Sequence, residues 1–327
     1  MKNLLLLALP MLVSKAFAGP LQQLDLDIEH ISVSGISSGG FMANQFHLAH
    51  SKWVDKAAII AAGPYYCAQG SIGGALSQCV NKVDTPIDLA LLKQQAENYA
   101  KAGLIDAIGN LQHSKVWLFH GNKDTRVIAP VSEALFTQYS NWIKPENLKY
   151  ISDKPFAHHF PTQKNGHQCD ESKAPFIGKC NYDAAGEFLS FLFDSLKPAS
   201  EKPSGQVVEF DQRELGGEVA STLAKTGYAY VPNSCSQGEQ CTLHMSFHGC
   251  NQNAEAVDQQ FIQQNGLNNW ADSNHMVVLY PQTRASMMMP LNPQGCWDWW
   301  GYTGENYATK SGKQIQAVEN IVKHMAK

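Results

Sequence analysis

Ile31-Ser32-Val33-Ser34-Gly35-Ile36-Ser37-Ser38-Gly39-Gly40 is the stretch that decides how this chain folds. Ile31 to Ser34 reads as a strand, and Phe41 to His50 reads as a helix. Between them lies Gly-x-Ser-x-Gly. Strand, turn and helix in that order make a nucleophile elbow, which pushes a serine hydroxyl out at the top of a sheet. Glycines flank the serine because side chains there would clash with the neighbouring strand and helix. The elbow comes almost at once after the N-terminus, so the strands that should precede it must lie elsewhere in the chain.

They are found by reading outward. After the elbow helix come a short apolar strand, Ala57–Ala62, and helical periodicity over 87–108. A buried-strand candidate, Val116–Phe119, stops at His120-Gly121-Asn122-Lys123-Asp124. A helix over 130–142 and a strand over 148–151 follow. Residues 156–180 read as loop, and 184–196 as an amphipathic helix. The one clear linker is 197–205, Lys-Pro-Ala-Ser-Glu-Lys-Pro-Ser-Gly. Beyond it lie strands at 206–210, 227–231 and 243–247, a helix over 253–265, a strand at 276–280 and a closing helix over 313–324. Placing this second part before the first restores the missing strands. It also puts His248-Gly249-Cys250, at the end of a strand, upstream of the serine, where α/β-hydrolases carry a loop that supplies one oxyanion-hole amide. The expectation is a circularly permuted α/β-hydrolase: a mostly parallel sheet flanked by helices, one domain over 19–327, with 197–205 joining what would otherwise be the termini. Domain termini often lie close together at the surface, which makes such a permutation physically reasonable. The rival is two domains split at that linker, each with half a sheet and half a site.

Residues 1–18 read as an export signal. Lys2 gives a charged start, Leu4 to Val13 an apolar core, and Ala16-Phe17-Ala18 a small-x-small cleavage site. Secretion, extracellular or periplasmic, is expected. No later stretch is long and apolar enough for a membrane span. The net charge of −4 with dispersed Lys and Arg leaves no footprint for nucleic acid or an anionic membrane. A monomer is expected. The 8 cysteines of an exported chain point to disulfides. Spacing suggests Cys67–Cys79, Cys169–Cys180, Cys235–Cys241 and the long-range Cys250–Cys296, one of many pairings that eight cysteines allow. With no C-x-x-C and scattered histidines, zinc is disfavoured. No metal or cofactor is called for.

Serine is a poor nucleophile unless a base takes its proton. Ser37 is the nucleophile candidate. The N–H of Ser38, the residue after it, is an oxyanion donor candidate, and the Ser38 hydroxyl is the rival nucleophile. The acid should sit on a loop after a later strand, and the base after that. Asp124 fits the acid, just past 116–119; a helix cap is its plainer reading, and Asp106 and Asp153 are rivals. His158, in Ala157-His158-His159-Phe160-Pro161-Thr162, fits the base, with His159 as its neighbour and rival. His167 reads as a surface residue beside Cys169. The backbone of His248-Gly249-Cys250 can aim a further N–H at the oxyanion. A Cys250–Cys296 bond would hold that amide beside the loop Cys296-Trp297-Asp298-Trp299-Trp300-Gly301-Tyr302. Flanking prolines and glycines make it a loop, and its aromatics suit an apolar, chain-like ester. The plainer alternative for any one of these tryptophans is a place in the core.

These motifs together resemble the extracellular poly(3-hydroxybutyrate) depolymerases, in their single-domain, circularly permuted form, over nearly all of the mature chain. The resemblance implies a secreted serine esterase acting on a polyester or its oligomers. It implies Ser37 as nucleophile, Asp124 as acid, His158 as base and the Ser38 and Cys250 amides as oxyanion hole. It also implies Trp297 and Trp299 as subsite walls. Many such depolymerases append a polymer-binding domain; here adsorption would have to use the surface of the catalytic fold. Feruloyl and acetyl esterases share the same serine chemistry, and a secreted binding protein on the same scaffold is the non-enzyme alternative.

Overall fold

The computed structural model of the protein describes residues 21–327, so the leader read in residues 1–18 lies outside the described residues. Eight strands form one sheet. They are β1 (Leu26–Ile36), β2 (Val54–Ile60), β3 (Lys115–Phe119), β4 (Leu148–Ile151), β8 (Gln206–Asp211), β9 (Thr226–Val231), β10 (Cys241–Phe247) and β11 (Met276–Tyr280). Their spatial order is β4-β3-β2-β1-β10-β11-β9-β8. Only β9 runs against the rest.

Alternation along each strand sends side chains to opposite faces. In β3, Val116 and Leu118 join one apolar cluster, whereas Trp117 and Phe119 join the other. The first cluster lies under helices Ser38–Ala49 and Lys313–Met325; the second lies under Ala184–Leu192. All twelve residues of Ser38–Ala49 are buried. A helix covered on every side needs no polar face, which is why this one shows little amphipathic pattern.

The first half of the chain builds the sheet from β1 to one edge, and the half after the linker builds the other. The two meet at β1–β10, paired in parallel with Gly35 opposite Phe247. A single sheet running through that seam excludes two separate domains. The linker is pinned: the Ser200 N–H donates to the Asn269 carbonyl, and the Gly205 N–H to the Tyr230 hydroxyl and to Asp272. The described ends also meet. The Leu24 N–H donates to Met325 O at 2.7 Å, and the Lys327 N–H to Leu24 O at 3.0 Å.

Local expectations differ from the structure in several places; the helix expected over 184–196, for one, ends at Leu192. Residues 156–180 hold a small parallel sheet of β5 (Phe160–Thr162), β7 (Ile177–Lys179) and β6 (His167–Gln168), in that order, rather than loop alone. Strands this short carry too few residues for alternation to show. The expected helix over 253–265 is two pieces, Ala254–Val257 and Gln260–Gln264. Asp258 between them has φ 52°, which a right-handed helix cannot accept. A further helix, Leu267–Ser273, starts after Gly266 at φ 87°. Among the described residues no helix is long and apolar enough to cross a membrane.

Candidate active site

Strand β1 delivers Ser37 to a turn with φ 56° and ψ −125°. A non-glycine residue at positive φ is strained and persists only where the surroundings hold it. Here the Ser37 N–H donates to Ile60 O at 3.0 Å, and its carbonyl accepts from Phe41 N–H at 3.0 Å. A side chain at Gly35 would run into the Gly39 carbonyl, and one at Gly39 into the carbonyls of Phe247 and His248. The elbow glycines therefore let the 247–250 segment close onto the serine.

Asp124 sits on the loop after β3. Its Oδ1 accepts from the N–H groups of Arg126 at 2.8 Å and Val127 at 3.0 Å. Its Oδ2 receives His158 Nδ1–H at 2.6 Å. Burial alone would raise the Asp124 pKa. The neighbouring His158 and the two backbone N–H groups outweigh it, and the carboxyl lies below its ordinary value. With Nδ1 committed to Asp124, the free ring nitrogen of His158 is Nε2. Ser172 holds the backbone here: its hydroxyl donates to His158 O at 3.0 Å and accepts from Arg126 Nε at 2.8 Å. The Arg126 guanidinium also lies 5.2 Å from the centre of the Phe176 ring.

His159 points away from this pair. Its Nε2 donates to Cys169 O at 2.8 Å, and burial lowers its pKa. It lies close to the sulfurs of Cys169 and Cys180, but both are bonded to each other, so the trio offers no thiolate to a metal. Asp106 is elsewhere, paired with Lys310, and Asp153 lies on the surface beside Lys154.

Ser37, Ser38, His158 and Cys250 line one cavity. As the first helical residue, Ser38 has an N–H with no partner one turn back. Among the described residues no protein acceptor takes the Cys250 N–H. All eight cysteines are paired as Cys67–Cys79, Cys169–Cys180, Cys235–Cys241 and Cys250–Cys296. The last bond ties the 248–250 segment to the aromatic loop.

That loop divides its tryptophans. Trp299, 7% exposed, stacks on Phe41 of the elbow helix at 4.2 Å and lines the cavity. Trp300 packs edge-on to Trp299 at 5.5 Å and lines the same cavity. Trp297, expected as a subsite wall, does not line the cavity. It is 0% exposed, edge-on to Phe247 at 5.0 Å and 5.6 Å from the His248 ring. The loop is shaped by Asp298, whose buried carboxylate accepts from the N–H groups of Gly301 at 2.7 Å, Tyr302 at 3.0 Å and Thr303 at 2.7 Å. Wrapping around that carboxylate turns Trp297 inward and Trp299 and Trp300 outward.

Sequence reading missed Trp300, Arg126, Ser172 and the apolar pair Ile72 and Leu76. The last two belong to helix Ile72–Gln78, held by Cys67–Cys79, and they also line the cavity. Their signal was present in those two cysteines, whose loop had to pack against something.

A mostly parallel eight-stranded sheet, helices on both faces and a serine on a strand–turn–helix elbow define an α/β-hydrolase. A poly(3-hydroxybutyrate) depolymerase of Delftia acidovorans is 40% identical over 307 residues, covering 92% of this chain and 60% of that protein. A polyhydroxybutyrate depolymerase of Talaromyces funiculosus is 35% identical over 310 residues, covering 90% of this chain and 89% of that protein. The chain belongs to the polyhydroxybutyrate depolymerase family. It thus spans three-fifths of the bacterial relative and most of the fungal one. Among solved structures, a PHB depolymerase complexed with an R3HB trimer superposes with a TM-score of 0.88 at 33% identity, covering 94% of this chain and 98% of that one. The crystal structure of PHB depolymerase from Penicillium funiculosum gives 0.87 at 33% identity, with the same coverage. No family model matches the chain.

Proposed function

We propose that this protein is a secreted serine esterase that hydrolyses poly(3-hydroxybutyrate) or its oligomers through an acyl-enzyme. The observation that carries the reading is the Asp124–His158 pair at 2.6 Å opening on the cavity that holds Ser37 at its strained elbow. His158 Nε2 takes the Ser37 proton as Oγ attacks the ester carbonyl. Asp124 stabilises the imidazolium and keeps Nδ1 protonated. The amides of Ser38 and Cys250 receive the developing oxyanion. Collapse breaks the C–O bond, and His158 returns the proton to the leaving alcohol. Water, activated by the same imidazole, then releases the acid.

Substrate class follows from the walls. Phe41, Trp299, Trp300, Ile72 and Leu76 are apolar, and Arg126 is the one charged side chain among the lining residues. Beyond Trp300 the groove continues to Met289 and Leu291, with Met287 and Met288 exposed alongside. An uncharged, methyl-bearing chain gains from such surface at roughly 25 cal/mol per Å² buried. The relatives' activities support the same assignment.

Four disulfides support export of the chain after removal of residues 1–18. The meeting of Leu24 with Met325, and the seam at β1–β10, support the circular permutation, with 197–205 as its join and 19–327 as one catalytic domain. A monomer without nucleic-acid or membrane partners completes the reading.

The test is product analysis with purified protein on amorphous poly(3-hydroxybutyrate), its oligomers, and feruloylated or acetylated sugars, alongside Ser37→Ala. Hydroxybutyrate products should appear, and Ser37→Ala should lose roughly 10⁴-fold or more. Turnover of the sugar esters alone would move the chain to another esterase class. Activity of Ser37→Ala within tenfold of the parent would remove the nucleophile assignment.

A further inference from the structure

The His248 side chain has no part in the proposed ester hydrolysis, which uses only the backbone of its motif. It is fully buried, and both ring nitrogens are engaged. Nε2 accepts the Thr283 N–H at 3.1 Å, so Nε2 carries no proton. The neutral ring must therefore be protonated at Nδ1, which donates to the Gly249 carbonyl at 2.7 Å. Burial, which lowers the His248 pKa to about 4, is consistent with that neutral form.

The Gly249 carbonyl and the Cys250 N–H belong to one peptide unit. In a trans peptide the two point in opposite directions within a single plane. A side chain that holds the carbonyl therefore aims the N–H. The other end of Gly249 is held as well: its N–H donates to Gln252 Oε1 at 2.7 Å, while Gln252 Nε2 donates to the carbonyls of Pro175 at 2.9 Å and Phe176 at 3.0 Å. Trp297 stands against the His248 ring, which accounts for a buried tryptophan in a loop otherwise turned to the cavity.

We propose that His248 is a positioning residue for ester hydrolysis, its Nδ1–H holding the Gly249–Cys250 peptide so that the Cys250 N–H faces the oxyanion. The proposal rests on the serine-esterase reading. It predicts an effect on the transition state alone, common to every ester, short or long. A wall residue would instead discriminate by substrate length.

Two variants separate the bonds His248 makes. In His248→Asn the amide nitrogen can stand near Nδ1 and donate to Gly249 O. In His248→Gln the longer side chain reaches toward the Nε2 place and can only serve Thr283. Each is assayed on the hydroxybutyrate trimer and on nitrophenyl acetate, with a melting curve. Each is also titrated with a trifluoromethyl ketone, which adds the serine oxygen to its carbonyl and places the resulting oxygen in the oxyanion site. His248→Gln should lower kcat about 10- to 100-fold on both esters, a share of what loss of a whole oxyanion donor costs. KM should be little changed, and affinity for the ketone should fall by the same factor as kcat. His248→Asn should stay within about fivefold of the parent, less than the loss of a whole donor would cause. Equal kcat for the two, the reverse order, or a loss confined to KM overturns the proposal. If only one variant folds, it decides alone: Asn with kcat down more than about tenfold, or Gln with parental kcat, overturns it. Ser37→Ala runs as control. If that variant stays active, the esterase reading itself has failed; if it is dead while His248→Gln is unaffected, only the role of His248 has.

Discussion

Two serine–histidine constellations lie within a few residues of each other along β1 and the turn that follows it, and they differ in what surrounds them. In the sheet, His244 Nδ1 pairs with Ser32 Oγ at 2.7 Å and Nε2 with Ser34 Oγ at 2.8 Å. Whichever nitrogen carries the proton, both are satisfied. The ring is fully buried under Phe188, no carboxylate touches it, and burial lowers its pKa to about 3. Three residues on, Ser37 stands at the strained elbow, on the cavity that His158 shares, and His158 in turn is bonded to the carboxylate of Asp124. A short serine–histidine contact is therefore not itself a reactive pair. The sheet pair joins two central strands, whereas the elbow pair has an acid that can support a charged imidazole and a path for substrate.

The sharpest way to break this contrast is to cut each constellation. His158→Ala should lose roughly 10⁴-fold in ester hydrolysis, and combining it with Ser37→Ala should cost little more, because such groups act as a unit. His159→Ala should be far milder, since its ring serves the Cys169 carbonyl. A reversed ranking of the two histidines would transfer the base by one residue. Ser34→Ala, by contrast, should leave turnover per folded molecule unchanged.

Next in size is the split between the tryptophans. Trp299→Ala removes a cavity wall and should reduce cleavage of the trimer about tenfold or more relative to nitrophenyl acetate, since the small ester needs only the reacting groups. Trp297→Ala opens a hole in the core and should cost about 3–5 kcal/mol of stability, with both substrates affected in equal proportion. Steady-state assays on both esters, with melting curves, decide it. Substrate discrimination by Trp297→Ala would put that ring back on the subsite.

The smallest expected effects are on stability. Ser34→Ala leaves one His244 nitrogen without a partner and should cost about 1–3 kcal/mol in denaturant unfolding. Acid should weaken the parent protein gradually. Burial lowers His47, His50 and His248 to about 4 and His244 to about 3. In the unfolded chain these rings titrate near about 6.5. The unfolded state therefore binds more protons below that value, and stability present above it is lost as pH falls toward the folded pKa values. Denaturant midpoints measured at falling pH between those limits should decline steadily, and less steeply in His244→Leu. A flat profile would mean that these rings are not held neutral.

Much of this was legible in the chain itself. The strand and helix around Ser37, the strand before Asp124 and the closing helix could be read because period-2 and period-3.6 patterns are local properties. The four short-loop and long-range cysteine pairs follow their spacing in the folded chain. What escaped were elements too short for a period, β5 to β7, and the break at Asp258, whose φ is set by packing.

Local chemistry along the sequence determined the elbow, the sheet-forming halves and the candidates for nucleophile, acid, base and oxyanion donor. Only the tertiary structure decided between His158 and His159 as the partner of Asp124, and between Trp297 and Trp299 as a cavity wall. Adjacent histidines and alternate tryptophans are equivalent to any periodic reading. The choice comes from which backbone carbonyl, carboxylate or ring lies opposite each side chain, and those partners are contributed by segments far away along the chain.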